Sequence, residues 1–397
     1  MRLNTPGGPE QGEPLPYWRL SNFYFVYFAA LGSFLPYWPL YLQSERYSAA
    51  EIGQLMAILA ATKVVAPNLW GWLADRGGNR IGVIRLAALL TVLGFAGVFW
   101  LHGYLWMAGI LLVYSFFWNA SLPAFEAHTL EYLAQDAHRY GLIRLWGSVG
   151  FIAGVLGVGW TLERRGVQVL PLVHLGLLFT LWLGSLLAPA RRRIRVAART
   201  EGSFWPILGR PEVLAFLLVF LCVQLAHGPY YVFFTVHLQA HGYGSEQAGW
   251  LWTLGVVAEI VLFLVLGRLG SGGGGRRLLL WSLLLGALRW LIIAFRVDSL
   301  ALLILAQCLH AATFGVSHLA VMRIAREHFG IEHQGKGQAL FNSVGYGLGG
   351  MLGSLGSGAL WSGQGAGVVY GASAVLSLLA FGIAWGWVGV PGMAVKR

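Results

Sequence analysis

Apolar stretches of about 20 residues, the length that crosses a bilayer as a helix, follow one another along nearly the whole chain. They fall at about 18–42, 49–74, 81–101, 105–132, 140–162 and 167–188, then at about 213–239, 246–269, 278–295, 300–325, 336–361 and 367–389. The pattern predicts twelve membrane helices, six on each side of a polar segment bounded by Pro189 and Pro211. The least sharp boundary lies between Gly353 and Gly367, where glycines blur the end of one span and the start of the next. Residues 1–16 are polar and lack the basic start and apolar core of a cleaved signal peptide, so the first helix is expected to act as the targeting signal.

Composition agrees with the pattern. The chain is 57% hydrophobic and 11% charged, against roughly 25% charged in soluble domains, and its mean hydropathy is +0.65. A net charge of +11 would suit nucleic acid only if it formed a continuous basic surface, and it is instead scattered over short loops. One set of loops holds Arg76, Arg80, Arg139, Arg191, Arg192, Arg193, Arg195, Arg199, Arg210, Arg268, Arg276, Arg277, Arg323, Arg326 and Lys336, with Lys396 and Arg397 at the C-terminus. The opposite set holds only Arg46, Arg164, Arg165 and Arg296. The positive-inside rule then predicts that both termini are cytoplasmic.

The chain also repeats itself. An ungapped offset of 196 residues lays Leu42, Gln43 and Tyr47 on Leu238, Gln239 and Tyr243, and Gly53 and Leu55 on Gly249 and Leu251. It continues through Gly71, Leu73, Gly78 and Arg80, which meet Gly267, Leu269, Gly274 and Arg276. The expected fold class is therefore an all-α membrane protein of two pseudo-symmetric six-helix bundles, residues 1–189 and 212–397, joined by a cytoplasmic linker at 190–211. Duplicated bundles with binding groups between the halves are the architecture of secondary transporters. Glycines at Gly147, Gly150, Gly154, Gly157 and Gly159, and again at Gly345, Gly349, Gly353 and Gly356, predict close helix contacts on the equivalent fifth and eleventh helices.

The candidate chemistry lies in ionisable residues within the spans: Lys63, Glu126, Arg144, Glu259, Arg289, His227, His310 and His318. A charge at mid-membrane costs at least about 2.5–3.5 kcal/mol, so several together point to function. Counting from the connecting loops at 1.5 Å per residue places Glu126 at the depth of Arg144, and Glu259 at the depth of Arg289 and Lys63. Each opposed pair is either a permanent ion pair or part of a water-filled cavity where substrate and proton compete. In the second case Arg144 or Lys63 receives an anionic or hydroxyl-rich solute. A carboxylate freed of its cation then takes up a proton. His227 precedes Pro229 in a helix broken at membrane depth, as at a cavity wall. His310 and His318, eight residues apart, are expected on nearly one helix face. Cys222 and Cys308 read as packing residues. No His-Glu-x-x-His helix, cysteine ligand set or phosphate-binding glycine loop is present, so neither enzyme activity, a catalytic residue, a metal nor a cofactor is expected.

The stretch GWLADRGGNR, residues 71–80, resembles the loop between the second and third helices of the major facilitator superfamily. Gly71, Asp75, Arg76, Gly78 and Arg80 fit, whereas Asn79 stands where a basic residue is usual. The resemblance implies a conformational latch there, with Asp75 capping or pairing near a helix end. A narrower likeness spans nearly the whole chain: YGLIRLWGS at 140–148, AHGPYY at 226–231, LWTLGVVAE at 251–259 and the tenth helix around His310 and His318 are similar to the phenylpropionate permease group. That group is related to lactose permease and nucleoside permeases, and the positions of Glu126, Arg144, Phe151 and Glu259 are similar to sugar and proton residues of lactose permease. The resemblance implies a proton symporter of the bacterial inner membrane. No acidic residue follows His310 or His318 until Glu327, so the proton carrier is sought among Glu126 and Glu259, with Arg289, His310 and His318 as coupling partners.

Counting Lys63, Arg144 and Arg289 against Glu126 and Glu259 leaves one surplus cation, which suits a monocarboxylate. Tyr24, Tyr27, Trp146, Phe151, Tyr230 and Tyr231 are the aromatic candidates to stack on its ring, with His227 beside them. The expected activity is proton-coupled uptake of a small aromatic monocarboxylate by a monomer. Sugar or nucleoside symport is the alternative, ahead of drug efflux or a non-transporting receptor.

Overall fold

In a computed structural model, residues 15–133, 139–189, 204–269, 274–329 and 333–388 are described, apart from the side chains at 75, 266–269 and 334. The sequence expectations for residues 190–203 of the linker, for Arg268, for the two basic residues at the C-terminus and for the side chain of Asp75 lie outside this set.

Every regular element among the described residues is helical. In chain order the membrane-length helices are α1 (Tyr17–Ser44), α2 (Ala49–Gly77), α3 (Arg80–Phe99), α4 (Tyr104–Leu133), α5 (Tyr140–Arg165) and α6 (Val167–Leu187). They continue with α7 (Pro211–Ala240), α8 (Ser245–Leu269), α9 (Gly275–Phe295) and α10 (Leu300–Phe329). The last helical rod, Gly335–Trp387, is 53 residues long, too long for one crossing. Gly365 interrupts it with φ 76° and ψ 175°, a backbone region open mainly to glycine, and so separates α11 (335–364) from α12 (366–387). Twelve crossings result among the described residues. An even number leaves Tyr17 and Trp387 at the same end of the molecule.

Local signals set the helix ends. Ser48 and Glu51 form a capping box at the start of α2, each side chain accepting from the other's backbone N–H. Gly78, left-handed at φ 65°, stops α2, and the Asn79 side chain accepts from Gly82 N to start α3. Two π-helical stretches, Ala311–Val316 in α10 and Asn342–Gly349 in α11, had no counterpart in the expected periodicity.

Backbone contact joins equivalent pairs of helices. A β-carbon at Gly150 would collide with the Phe25 carbonyl, which sets α5 against α1. One at Gly353 would lie 2.5 Å from the Leu225 carbonyl oxygen, which sets α11 against α7. Without hydrophobic driving force between helices in lipid, such close approach supplies much of the association energy. Gly157 and Gly356 belong to the same sequence runs but meet nothing within 4 Å, so they correct the expected contact faces. Buried polar groups add hydrogen bonds: Thr62 donates to Ser115, and Asn119 to Thr62 and the Leu59 carbonyl, between α2 and α4.

The first six helices and the last six meet at the end opposite the termini. Tyr37 donates to the carbonyls of Val155 (2.9 Å) and Ser245 (3.4 Å). Arg164 pairs with Glu246 at 3.1 Å, and Glu246 N donates to Glu163. Gly53 and Gly358 bring α2 and α11 together backbone to backbone. This end is sealed.

Candidate functional site

Between the halves, several mid-helix side chains are surrounded by protein and yet remain partly exposed. Lys63 on α2 and His318 on α10 are exposed, while Glu126, Arg144, Tyr231, Glu259 and Tyr346 are half-buried. Dense surroundings with retained access are what residues lining an open cleft show, and lipid-facing residues lack the first property. The cleft lies on the terminus side of the seal.

Its first wall is built from α1, α4 and α5. Arg144 Nε lies 3.8 Å from Glu126 Oε1, with the two side chains 32% and 36% exposed. That distance is an ion pair without a hydrogen bond. The Arg144 guanidinium lies 4.0 Å above the Phe28 ring centre and 5.9 Å from that of Tyr24, so cation–π attraction supplements the pair. Tyr140 sits edge-on to Tyr24 and beside Glu126. Tyr27 stacks on Trp118 at 4.1 Å and is buried behind them. Lys63, on α2, has no hydrogen-bond or ion-pair partner among the described residues.

The opposite wall comes from α7, α8, α10 and α11. Glu259 packs along Gly315 of α10 and is within electrostatic reach of Arg144, Tyr231 and Tyr346. His318 Nδ1 lies 3.1 Å from the Tyr346 hydroxyl and also feels Arg144. The expected depth match of Glu126 with Arg144 is therefore seen as a pair; Glu259 lies within reach of Arg144, and Lys63 is an exposed side chain on α2.

Arg289 departs from expectation. It does not pair with Glu259. It is 0% exposed, donates from Nε to the Ala306 carbonyl (3.0 Å) and from Nη1 to Thr313 (3.3 Å), and lies over the rings of Tyr230 and Trp290. The reason is azimuth: depth along two helices was countable, but the direction each side chain leaves its helix was not. Tyr230, His227 and His310 are drawn into the same buried nest. Tyr230 donates to Gln307 (3.1 Å) and stacks on His310, and His227 Nδ1 contacts the Val223 carbonyl. None of these three lines the cleft, whereas Tyr231 does. His310 and His318 face different surroundings because the π-helical stretch between them changes the winding of α10.

Two further expectations are corrected. Trp146, two residues after Arg144 and hence on another face of α5, donates to the Tyr17 hydroxyl and packs against the exposed Trp18 at the rim. Phe151 is buried in the core where α5 crosses α1. Conversely, Phe28, Tyr140 and Tyr346 were missed. An aromatic residue three or four positions from a known site residue is a weak signal for the first two, while Tyr346 stands out as a bulky polar side chain within a glycine run.

The stretch from 71 to 80 runs from the last turns of α2 through Gly78 and Asn79 to the start of α3. Arg76 stacks on Trp72, Gly78 terminates α2, and Arg80 pairs with Glu131 of α4. Gly71 meets no neighbour where a β-carbon would stand. Arg85, unremarked in the sequence, caps α6 through the carbonyls of Ser185, Leu186 and Ala188.

Known proteins resemble this chain in sequence and in fold. The probable 3-phenylpropionic acid transporter of Escherichia coli (strain K12) is 33% identical over 314 residues, covering 78% of this chain and 82% of the relative. The maltose permease of Geobacillus stearothermophilus is 29% identical over 335 residues, covering 82% and 83%. In fold, the crystal structure of the nucleoside transporter NupG superposes with a TM-score of 0.78 at 18% identity, over 93% of this chain and 98% of that one. The model of the MFS_1 like family matches residues 17–372. Two six-helix halves, a charged cleft between them and this match together make the chain a member of the major facilitator superfamily, a multi-pass membrane transporter of small molecules and not an enzyme.

Proposed function

We propose that the protein is a proton-coupled symporter that takes up a small aromatic monocarboxylate, phenylpropionate-like in chemistry, by alternating access between residues 1–189 and 212–397. The observation that carries this reading is Arg144: a half-buried cation flanked by the aromatic faces of Phe28 and Tyr24 and held only loosely by Glu126, at 3.8 Å. A carboxylate entering the cleft can take the guanidinium in a bidentate bond while its ring packs on aromatic side chains. Tyr231 and Tyr346 supply such faces across the cleft.

Charge balance supports coupling. With Arg289 withdrawn, the cleft holds Lys63 and Arg144 against Glu126 and Glu259. These sum to zero. One proton on either carboxylate leaves one surplus cation, and a monocarboxylate restores neutrality. Proton and substrate then stabilise each other in the low-dielectric site, and each alone leaves an uncompensated charge. Phenylpropionate is favoured because the 33% identical relative is named for that acid.

The lopsided arginines support cytoplasmic termini, and the bacterial relatives support an inner membrane. The open end of the cleft then faces inward, with the 71–80 loop as a latch at its mouth. The protein acts as a monomer. Sugar or nucleoside symport is the second reading, supported by the maltose permease relative and the nucleoside transporter fold. Reconstituted liposomes decide between them: an imposed pH gradient should drive accumulation of phenylpropionate, and sodium should not replace it. Binding of neutral sugars or nucleosides alone would reject the aromatic acid.

A further inference from the structure

A second cavity lies far from the cleft, at the sealed end of the first six helices. It measures about 390 Å³ and is bounded by the α1–α2 and α3–α4 connections. Its origin is visible in the repeat. The α1–α2 turn closes with Arg46 N donating to the Gln43 carbonyl and Tyr47 N to the Leu42 carbonyl. The α7–α8 turn uses the same bonds, Gly242 N to Gln239 and Tyr243 N to Leu238. Both place one residue in the left-handed region, φ 65° for Arg46 and φ 82° for Gly242. Glycine adopts that conformation freely and arginine pays for it in strain. Arg46 is the only non-glycine residue with positive φ among those described. A strained residue that persists where its own repeat carries glycine points to a use for the side chain.

The cavity supplies one. The side chains of Arg46, His102 and Glu45 line it with no hydrogen-bond or ion-pair partner among the described residues, while the fourth charged or imidazole side chain of the lining, Glu51, is already held by Ser48. Tyr41, Tyr47 and Tyr104 add aromatic surface. Burial and the carboxylates of Glu45 and Glu51 push the Tyr47 hydroxyl above its ordinary range, which fits both acids facing that ring. In the second half the matching Tyr243 hydroxyl instead donates to the Val297 carbonyl in the α9–α10 connection. Next in sequence to the lining residues Leu101, Tyr104 and Met107, Trp100, Leu105 and Trp106 are 73%, 81% and 59% exposed, as in the aromatic belt at a membrane–water interface.

We infer that this cavity binds the zwitterionic headgroup of an ammonium-bearing phospholipid. Arg46 and His102 take the phosphate, and Glu45 with the faces of Tyr41 and Tyr47 takes the ammonium. Opposite charges in one interfacial cavity match a headgroup carrying both, and a purely anionic lipid would meet Glu45 unpaired. The site is independent of the transported solute.

The test uses the full chain in a maltoside detergent, with thermal unfolding read against dihexanoyl phosphatidylethanolamine, dihexanoyl phosphatidylglycerol and glycerophosphoethanolamine. Phosphatidylethanolamine should raise the midpoint and phosphatidylglycerol should not. Arg46→Gly should fold at least as stably, since glycine relieves the backbone, yet need about tenfold more phosphatidylethanolamine for the same shift. Glu45→Gln should weaken the response in the same direction. An unchanged response in Arg46→Gly, or equal shifts from the two lipids, would overturn the site. Glycerophosphoethanolamine acting at the lipid's concentration would overturn the lipid as occupant, leaving a soluble zwitterion.

Discussion

Arg144 and Arg289 are both single cations in the middle of long apolar helices, yet the fold treats them oppositely. Arg144 faces an open cleft, has a carboxylate within 3.8 Å and keeps a third of its surface accessible. Arg289 is wholly enclosed, with a carbonyl, a hydroxyl and two aromatic rings but no carboxylate among its described partners. A buried unpaired charge is costly, so Arg289 is held by its nest and cannot easily let go. Arg144 is partly exposed beside a carboxylate that it does not hydrogen-bond, which is the geometry the proposed function uses for exchange with a ligand. Under the proposed function these two residues of one type divide into a receptor and a positioning group, and accessibility rather than chemistry makes the difference.

The sharpest way to break this comparison is Arg144→Ala. Removing one side of a charge-assisted contact to a bound carboxylate costs about 2–5 kcal/mol, so substrate affinity should fall by roughly 30-fold to several thousand-fold, with thermal stability little changed. Isothermal titration beside thermal unfolding reads both. Arg289→Ala should invert the pattern. The cavity left in the aromatic nest is expected to lower stability by about 2–5 kcal/mol, while the variant that folds binds substrate within roughly threefold of the original. A binding loss in Arg289→Ala as large as that in Arg144→Ala would end the distinction.

Glu259→Gln tests the cleft's charge balance. Uptake driven by a pH gradient should fall about tenfold or more, and counterflow exchange of substrate should persist. Loss of both would assign Glu259 to binding instead of coupling. The smallest effect is expected at the seal. Arg164→Ala removes an exposed pair worth about 0.2–1 kcal/mol, which shifts the balance between conformations by at most about fivefold. Accessibility of a cysteine placed in the cleft would report that shift.

The two closely packed helix pairs show how far glycine spacing can be read. Gly150 and Gly353 fell where the repeat predicted and are true backbone contacts, but Gly157 and Gly356 in the same runs touch nothing. A spacing of four names a helix face without saying how long the neighbouring helix stays against it. The site divides in the same way. Glu126, Arg144, Lys63 and Glu259 were legible because charge in an apolar span is conspicuous. Phe28 and Tyr346 were hidden among many other aromatics, and Trp146 and Phe151 were misplaced for the same reason.

Bilayer thickness and the cost of unpaired backbone groups in lipid determined the number of helices and with it the parity of the termini, and the internal duplication was legible as a repeat at an offset of 196 residues. Those constraints are local, set by length and polarity along a single segment. Which charge meets which was decided by tertiary structure. Side-chain direction depends on helix rotation, on the π-helical stretches that rephase α10 and α11, and on which end of the two halves is closed. These are properties of packing between segments far apart in sequence. Arg289 turns inward and Arg144 turns to water for that reason.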